Sequence, residues 1–264
     1  MAAPSQLRIG TSGFSYPEWK PAFYPKDVPQ RRFLEHYASV LGAVEVNASF
    51  YRLQAEKTFL GWLAMVPDEF RFVVKAHRGL THTRDLPTPE RRDTGGLLDR
   101  FLESLEPLED RIGTMLVQLP PTRQRDDAGL EGLLAAMGTA ERPVAVELRH
   151  ESWFFPEIAC RIADAGGTLC FADYSGEVPA RLPPGPIAYV RMRADRYTET
   201  QREGWLELLR REAESRPVYA FAKHEGVPPD DPYAGVGLAS WMVARSRGLN
   251  SSPAATAPRP RSSG

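Results

Sequence analysis

The chain alternates short apolar runs with amphipathic segments over most of its length. Eight runs have the length and apolar character of buried strands. They are Leu7–Ile9, Ala43–Val46, Phe70–Val74, Thr114–Leu119, Val144–Leu148, Thr168–Ala172, Ile187–Met192 and Val218–Ala222. Helical periodicity fills most of the gaps, in Arg31–Val40, Lys57–Met65, Leu97–Leu105, Leu130–Met137, Glu157–Ala165, Glu203–Glu214 and Gly237–Ser246.

This alternation predicts a parallel β-sheet covered by helices, because strands buried on both faces are apolar throughout. Eight strands in about 240 residues match an α/β fold of the (β/α)8 TIM-barrel type. A doubly wound open sheet is the alternative, and such sheets usually carry a glycine-rich phosphate turn after the first strand. The first strand here leads into GTSG at positions 10–13, which is too short for that fingerprint and is interpreted as a tight turn.

Two parts of the chain depart from the alternation. The segment YSGEVPARLPPGP at 174–186 contains four prolines, so the helix between strands six and seven is expected to be reduced or missing. The ends lack large apolar residues, and the last fifteen residues read NSSPAATAPRPRSSG. We expect a flexible lead over 1–6, a single barrel domain over 7–249 and a disordered tail over 250–264.

Composition excludes several classes of protein. The chain has 33 basic and 34 acidic residues and a net charge of −1, which argues against a general nucleic-acid binder, although a local basic patch remains compatible with it. Its two cysteines are not in a CxxC pair, which fits a reducing compartment. No signal-peptide core and no apolar run long enough to span a membrane occurs, so a cytoplasmic location is expected. Composition does not predict the oligomeric state.

Polar residues gather where the predicted strands end, which is where TIM barrels carry their sites. Four strand ends hold a polar pair two residues apart, and side chains at that spacing share one face of a strand. These pairs are Glu45 and Asn47, Lys75 and His77, Glu147 and Arg149, and Arg191 and Arg193. Three other strands end with Gln118, with Asp173, and with Lys223 and His224. All of them are expected to face the barrel mouth.

The charge at these strand ends predicts the kind of ligand. Five cationic and three anionic side chains leave an excess of two positive charges, histidines apart. A small ligand that carries a phosphate or carboxylate group suits this excess, since arginine grips such groups with two hydrogen bonds. The alternative is a structural network in which Glu147 pairs with Arg149 and Glu45 pairs with Lys75.

Five separated motifs carry a resemblance to a known family. The motifs are GTSG at 10–13, VEVNASFY at 44–51, FRFVVKA at 70–76, QLPP at 118–121 and ELRHESWF at 147–154. They resemble the domain-of-unknown-function family 72, also called YecE-like, and the match spans nearly the whole chain outside its ends. The resemblance implies a TIM-barrel fold and no established activity. The matching positions at the mouth are Glu45, Asn47, Lys75, Gln118, Glu147, Arg149, His150 and Trp153.

The chain departs from the pattern of that family at two strand ends. Strand seven of the family often ends in an Arg-x-His run, where this chain has Arg191-Met-Arg193. Strand eight often ends in asparagines, where this chain has Lys223-His224. Roles that rest on these positions are therefore not carried over from the resemblance.

Acid–base catalysis on a small anionic molecule is the leading hypothesis. Glu147 would act as general base and His150 as acid or proton shuttle. Lys75 and Asp173 complete the candidate catalytic set. The candidate ligand-binding residues are Glu45, Asn47, Tyr51, His77, Gln118, Arg149, Trp153, Arg191, Arg193, Lys223 and His224.

Four alternatives stay open. Lys75 or Lys223 could form a Schiff base with a carbonyl substrate. Metal-assisted phosphodiester hydrolysis would use acidic and histidine side chains from several strands, although no linear metal motif occurs, so no cofactor is predicted and a divalent metal is left open. The mouth could equally serve a non-catalytic binding scaffold. Two basic loops, at 77–84 and 121–125, could contact a nucleic-acid backbone.

Overall fold

The computed structural model describes residues 6–90, 96–138 and 142–248. Nine strands form one sheet in the order β6-β5-β4-β3-β2-β1-β9-β8-β7, and every pairing is parallel. The strands are β1 Leu7–Ser12, β2 Ala43–Val46, β3 Arg71–Lys75, β4 Ile112–Gln118, β5 Val144–Glu147, β6 Gly167–Leu169, β7 Phe171–Asp173, β8 Ala188–Met192 and β9 Val218–Ala222. The expected lead over 1–6, except for its last residue, and the expected tail over 250–264 lie outside the described residues.

The sheet closes into a nearly complete barrel because its two edge strands, β6 and β7, follow one another directly in the chain. β6 pairs with β5, and β7, which begins two residues after β6 ends, pairs with β8. Between them, the backbone N–H of Cys170 donates to the Val146 carbonyl at 2.8 Å, and the Thr168 hydroxyl donates to the Ile187 carbonyl at 3.1 Å. The TIM-type barrel is therefore confirmed, with its predicted sixth strand divided in two.

The helices follow the predicted order. They are α1 Phe33–Val40, α2 Ala48–Tyr51, α3 Glu56–Leu63, α4 Arg78–Thr81, α5 Leu97–Leu105, α6 Asp127–Met137, α7 Glu157–Asp164, α8 Glu199–Glu212 and α9 Gly235–Ser246. As predicted, no helix joins β7 to β8, in a segment that is described throughout. None of the described helices is both long enough and apolar enough to cross a membrane.

Polar caps set the starts of two helices earlier than their apolar periodicity suggests. The Asp126 side chain accepts a hydrogen bond from the Gly129 backbone N–H at 2.9 Å at the start of α6. Thr198 and Gln201 form a reciprocal capping box at the start of α8. The short helices α2 and α4 have too few residues to show a period, which is why the sequence pattern missed them.

The hydrophobic core has two layers that together position the polar site. One layer fills the space between the sheet and the helices, and the other fills the inside of the barrel. The inner layer consists of Ala43, Val73, Leu116, Ala145, Cys170, Ile187, Tyr189, Tyr219 and Phe221. Because inward positions alternate along a strand, the next inward residues toward the carboxyl end are Glu45, Lys75, Gln118, Glu147 and Arg191. The apolar inner layer therefore ends where the polar mouth begins.

Candidate active site

A buried arginine stands at the centre of the polar mouth. Nη1 of Arg191 lies 2.5 Å from Oε2 of Glu147, and its Nη2 lies 2.9 Å from Oε1 of Glu45. The Arg191 side chain is 5% exposed, and those of Glu45 and Glu147 are 0% and 2% exposed. One cation thus ties together β2, β5 and β8, which are not neighbours in the sheet.

The surroundings of Glu45 and Arg191 favour the ionised forms of both side chains. Burial opposes ionisation of Glu45, but the Arg191 charge and a 2.8 Å hydrogen bond from the Tyr189 hydroxyl outweigh burial and lower the pKa of Glu45. Burial likewise disfavours the charge on Arg191, and the two carboxylates reverse that effect and raise the pKa of Arg191 well above its usual value. We refer to Glu45, Glu147 and Arg191 as the buried triad.

A second arginine extends the triad toward solvent. Arg149 donates from Nε to Oε1 of Glu147 at 2.9 Å, and its Nη2 lies 2.8 Å from the same oxygen. The Arg149 side chain remains 33% exposed, whereas its partner is buried. Both oxygens of Glu147 are therefore held by guanidinium groups, and Arg149 is the cation of this cluster that solvent and ligands can reach.

Lys75 differs from the arginines in having no carboxylate partner among the described residues. Its Nζ donates to Oε1 of Gln118 at 2.8 Å and lies 4.1 Å from the centre of the Phe50 ring. Burial and the nearby charge of Arg191 lower the pKa of Lys75 to about 8, although Glu45 and Glu147 oppose this change. The amine therefore exchanges its proton near neutral pH.

The second members of two predicted pairs lie beyond their strands, at the starts of the short helices. His77 is the N-cap of α4, and its Nδ1 accepts a hydrogen bond from the Gly79 backbone N–H at 3.0 Å. Asn47 is the N-cap of α2, and its buried amide oxygen accepts no hydrogen bond from the described residues. The strands end before these positions, so spacing along a strand no longer sets the direction of their side chains.

Acidic residues from loops offset the charges after β8 and β9. Arg193 lies 3.8 Å from Glu225, and Lys223 forms an ion pair with Asp195. His224 stacks on Tyr16 with ring centres 4.3 Å apart. Burial lowers the pKa of His224. These two carboxylates cancel the excess of two positive charges that the sequence predicted for the strand ends. A net charge of +1 remains within the group formed by Glu45, Lys75, Glu147, Arg149 and Arg191.

The remaining candidates support loops in this structure. Asp173 accepts hydrogen bonds from the backbone N–H groups of Ser175 at 3.0 Å and Gly176 at 2.8 Å, and from the Tyr197 hydroxyl at 2.8 Å. His150 caps a short 3-10 turn, where its Nδ1 accepts from the Ser152 N–H at 3.1 Å. Neither side chain contacts the buried triad through a hydrogen bond or ion pair found among the described residues.

The two predicted aromatic walls lie in opposite environments. Trp153 is buried, and its indole N–H donates to the Arg123 carbonyl at 2.9 Å. Tyr51 is 68% exposed. Three other aromatic side chains that follow strand ends are also more than half exposed, namely Phe154, Phe155 and Tyr174. Trp153 therefore packs beneath a loop, while the exposed rings lie on segments that follow the carboxyl ends of β2, β5 and β7.

Comparison with known proteins identifies the family of the chain. The family model described as "Protein of unknown function DUF72" matches residues 8–256. The chain belongs to the DUF72 family. The Bacillus subtilis UPF0759 protein YunF is 32% identical over 157 residues, which are 57% of this chain and 53% of that protein. The Escherichia coli UPF0759 protein YecE is 31% identical over 149 residues, 56% of this chain and 50% of that protein. In these matches, the chain spans about half the length of the curated relatives.

Solved DUF72 structures share the fold. A DUF72 family protein from Thermotoga maritima superposes with a TM-score of 0.71 at 24% identity, covering 92% of this chain and 98% of the other. One from Enterococcus faecalis gives a TM-score of 0.68 at 19% identity, with 93% and 96% covered. At these identities the likeness establishes the architecture of this DUF72 protein, and the site has to be interpreted from its own residues.

The structure also bears on the alternatives for this DUF72 protein. Among the described residues, no group of three or more His, Cys, Asp or Glu side chains is placed to hold a metal ion. The two basic loops border a groove of about 540 Å³ that includes His82, Arg84 and Arg125. Arg123 bridges the loops through the Arg84 carbonyl at 2.8 Å, and Arg125 pairs with Asp127 and Glu157. Protein groups thus already satisfy these two guanidinium groups.

A larger groove of about 660 Å³ lies at the opposite end of the barrel, where its lining includes Gln6, Leu7, Arg8 and Ile9 from the start of β1. It is remote from the carboxyl ends of the strands that carry the polar mouth. Volume alone therefore does not mark the site of this DUF72 barrel, and the charged groups at the carboxyl end provide the stronger indication.

Sequence reasoning missed two contributors to the mouth. Tyr189 donates to Glu45 from inside the barrel, and its position two residues before Arg191 on β8 was a signal that strand periodicity offered. Phe50 lies on the short helix α2, and its placement against Lys75 depends on how that helix turns after β2. No local pattern in the DUF72 chain predicts that contact.

Proposed function

We propose that this DUF72 protein binds a small anionic ligand, bearing a phosphate or carboxylate group, at the carboxyl-end mouth of its barrel and acts on it by acid–base chemistry. The observation that carries the proposal is the state of Lys75, whose amine is held by the neutral amide of Gln118 and the face of Phe50. A buried cation without a paired carboxylate attracts an anion strongly, because little water screens it.

The distribution of charge supports an anion rather than a cation. Arg191 is balanced by Glu45 and Glu147, so the triad alone carries one excess negative charge. Lys75, which is 8% exposed, and Arg149, which is partly exposed, add two positive charges beside it. The cluster as a whole is therefore cationic, and the N–H groups of Lys75 and Arg149 can donate hydrogen bonds to an oxyanion.

Lys75 is the best-supported proton-transfer group of the cluster. An efficient acid–base catalyst has a pKa near the working pH, and the pKa of Lys75 is lowered to about 8. Glu147, the base favoured by the sequence, has both oxygens engaged by arginines, so a substrate proton must compete with those hydrogen bonds. We assign proton transfer to Lys75, with Glu147 holding the two arginines in position.

A cytoplasmic location forms part of the same proposal. Both cysteines are free thiols, with Cys160 exposed and Cys170 buried in the barrel. Free thiols of this kind are typical of proteins from reducing compartments.

The proposal is tested by the thermal stability of the protein in the presence of anions. A ligand that binds only the folded state raises Tm, and saturation at a hundred times Kd stabilises by about 2.7 kcal/mol. Sodium phosphate, pyruvate and citrate are compared with sodium chloride at equal ionic strength. The wild type is expected to be stabilised by at least one of the three anions, and Lys75→Met and Arg149→Gln are expected to lose that response.

Lys223→Met is the matched control, since Lys223 also follows a strand but is paired with Asp195. It is expected to keep the response of the wild type. Equal responses of Lys75→Met and Lys223→Met would contradict the proposed site, and the absence of any anion effect on the wild type would count against the proposed ligand class.

A further inference from the structure

We infer that Lys75 forms an imine with a carbonyl compound that also carries a carboxylate or phosphate group. This inference rests on the proposed anion site and names the substrate class that the site takes. It gives Lys75 a covalent role in addition to proton transfer. The substrates it indicates are aldehydes, ketones and 2-oxo acids with an anionic group close to the carbonyl carbon.

The surroundings of Lys75 suit an amine that reacts as a nucleophile. The residue is 8% exposed, and its stem is fixed at the end of β3 while Gln118 and Phe50 hold its tip. Neither neighbour carries a charge that would lock the amine in its ammonium form. Lysine nucleophiles in enzymes are activated by desolvation and by nearby cations, and Arg191 and Arg149 lie within electrostatic range of Lys75.

The other lysine at a strand end shows the contrast. Lys223 follows β9 in a position comparable to that of Lys75 after β3, but its amine is paired with the fully exposed carboxylate of Asp195. An anionic substrate would have to displace Asp195 before it could approach this amine. The geometry therefore separates the two lysines that the sequence left as equal candidates for Schiff-base chemistry.

The anionic group of the substrate has a place close to the amine. Arg149 is partly exposed and forms an ion pair with Glu147. Glu147 on β5 lies opposite Gln118 on β4, and Gln118 accepts the hydrogen bond from Lys75. A carboxylate or phosphate held by Arg149 would keep an adjacent carbonyl carbon near Nζ of Lys75. Such positioning lowers the barrier to attack, because the translational and rotational entropy of the substrate has already been lost on binding.

The chemical step balances without another reactant. The ammonium group of Lys75 first releases a proton to solvent. The neutral amine then forms a C–N bond to the carbonyl carbon, and the carbonyl π electrons move to oxygen. Transfer of a proton from nitrogen to that oxygen gives the carbinolamine. Its hydroxyl takes up a proton from solvent and leaves as water to give the iminium ion, so an ammonium group and a carbonyl compound yield an iminium ion and water. Because the proton count is unchanged overall, the step needs no oxidant or metal.

Reductive trapping on the full-length protein tests the inference. The protein is incubated with pyruvate, glyoxylate or glycolaldehyde phosphate in the presence of sodium cyanoborohydride, and adducts are mapped by peptide mass spectrometry. The chain has only five lysines, at 20, 26, 57, 75 and 223, so each can be followed separately. Propionaldehyde, which has no anionic group, serves as the control carbonyl compound.

We expect Lys75 to be labelled at least roughly tenfold faster than the other lysines at pH 7.5. With a pKa of about 8, roughly a quarter of the amine is neutral at that pH, whereas an amine with the ordinary lysine pKa is neutral in only about one part in a thousand. The preference should be reduced with propionaldehyde and lost in Lys75→Arg, while Lys223→Arg keeps it. Labelling spread evenly over the lysines would overturn the imine at Lys75. An equal preference for Lys75 with propionaldehyde would overturn the requirement for an anionic group on the substrate.

Anion binding distinguishes this failure from failure of the proposed function. If the anions that stabilise the wild type still do so through Arg149 and no adduct forms at Lys75, the imine is wrong and the anion site stands. If neither an adduct nor an anion-dependent rise in Tm is found, both proposals fail. Circular dichroism of Lys75→Arg establishes that loss of labelling is not loss of fold.

Discussion

The guanidinium of Arg191 and the carboxylate of Glu147 meet inside the barrel at 2.5 Å, with both side chains almost fully buried. The same guanidinium holds Glu45, so a single side chain of β8 pairs with carboxylates from both β2 and β5. A buried ion pair contributes little compared with apolar packing, but removing one partner leaves a charge that neither water nor protein compensates. Single substitutions in the buried triad should therefore lower the free energy of unfolding more than combined substitutions that remove all of its charges.

Arg191→Met should strongly destabilise the protein. It leaves the buried carboxylate of Glu45 without its cation and removes one of the two guanidinium groups that hold Glu147. Loss of one partner of a buried pair typically costs about 3–5 kcal/mol of unfolding free energy. Urea denaturation followed by circular dichroism measures the loss. The exposed pair of Arg32 and Glu35 provides the control, since Arg32→Met should change stability by less than about 1 kcal/mol. Similar losses of stability for the two variants would show that removing Arg191 does not leave a costly unpaired charge in the barrel.

Replacing both acidic partners should rescue that loss. In the triple variant Glu45→Gln, Glu147→Gln and Arg191→Met, the two buried carboxylates are removed together with their shared guanidinium, so we expect a large part of the lost stability to return. A triple variant less stable than Arg191→Met would indicate that the acidic groups stabilise the barrel by hydrogen bonds independent of Arg191.

The proton affinity of Lys75 should be visible directly. With lysines labelled at Cε, five NMR resonances are expected, and the one absent from Lys75→Arg should titrate with a pKa of about 8. Arg149→Gln should raise that pKa, because Arg149 is one of the cations that lower it. Glu45, Glu147 and Arg191 face the same amine, so Glu147→Gln, which removes an opposing charge, should lower it. A Lys75 resonance that titrates near the ordinary value of 10.5 would contradict the desolvated state.

The same shift makes stability depend on pH with a definite sign. The folded protein releases the Lys75 proton at about 8, whereas the unfolded chain retains it up to 10.5. Between these values the unfolded state binds more protons, so the contribution of Lys75 to stability rises with pH. Below about 8 both states are protonated and the burial of the charge is unfavourable. The stabilisation that Lys75→Met gives relative to the wild type should therefore diminish as pH increases from 8 to 10.

Strand periodicity was sufficient to predict the barrel and the inward residues, and it failed where the strands end. Glu45, Lys75, Glu147 and Arg191 all lie within strands, where a spacing of two residues fixes the direction of a side chain. Asn47 and His77 follow the ends of β2 and β3, where the backbone turns into short helices. Their directions depend on helix starts that no periodic pattern encodes.

Long-range pairing was the other part that the sequence could not show. The acidic partners of Lys223 and Arg193 are Asp195 and Glu225, which lie on loops after different strands. Counting charges at strand ends omitted both loops and overestimated the positive charge that a ligand meets. The contrast between Lys75 and Lys223 depends on these loop residues, and a linear sequence gives no basis for choosing between the two.

Substitutions of Asp173 distinguish a catalytic or binding role, which the sequence suggested, from a structural role in its loop. Its carboxylate holds the backbone of Ser175 and Gly176 and the hydroxyl of Tyr197. Asp173→Ala should destabilise the protein by about 1–3 kcal/mol, because the buried N–H of Gly176 loses its acceptor. Asp173→Asn keeps an amide oxygen for that N–H and should lose less. If Asp173 supports only the loop, both variants should keep the anion-dependent rise in Tm, whereas a direct role in binding would abolish it in both.

Gly10 gives a packing prediction at the start of the GTSG motif. A Cβ at this position would lie 1.9 Å from the carbonyl oxygen of Ala43 and 2.9 Å from the hydroxyl of Tyr37, which itself accepts from the Thr11 N–H at 2.8 Å. The close atoms include backbone of the neighbouring strand, so Gly10→Ala must move β1 away from β2, and overpacking of this kind typically costs about 1–3 kcal/mol.

Gly61 is the matched control for this substitution. It lies within α3, and a Cβ there would meet nothing within 4 Å. Gly61→Ala should therefore stabilise the protein by up to about 1 kcal/mol, because alanine restricts the unfolded chain and favours the helix. Urea denaturation of both variants gives the comparison. If Gly10→Ala were tolerated as well as Gly61→Ala, the pairing of β1 with β2 would have enough freedom to absorb a methyl group.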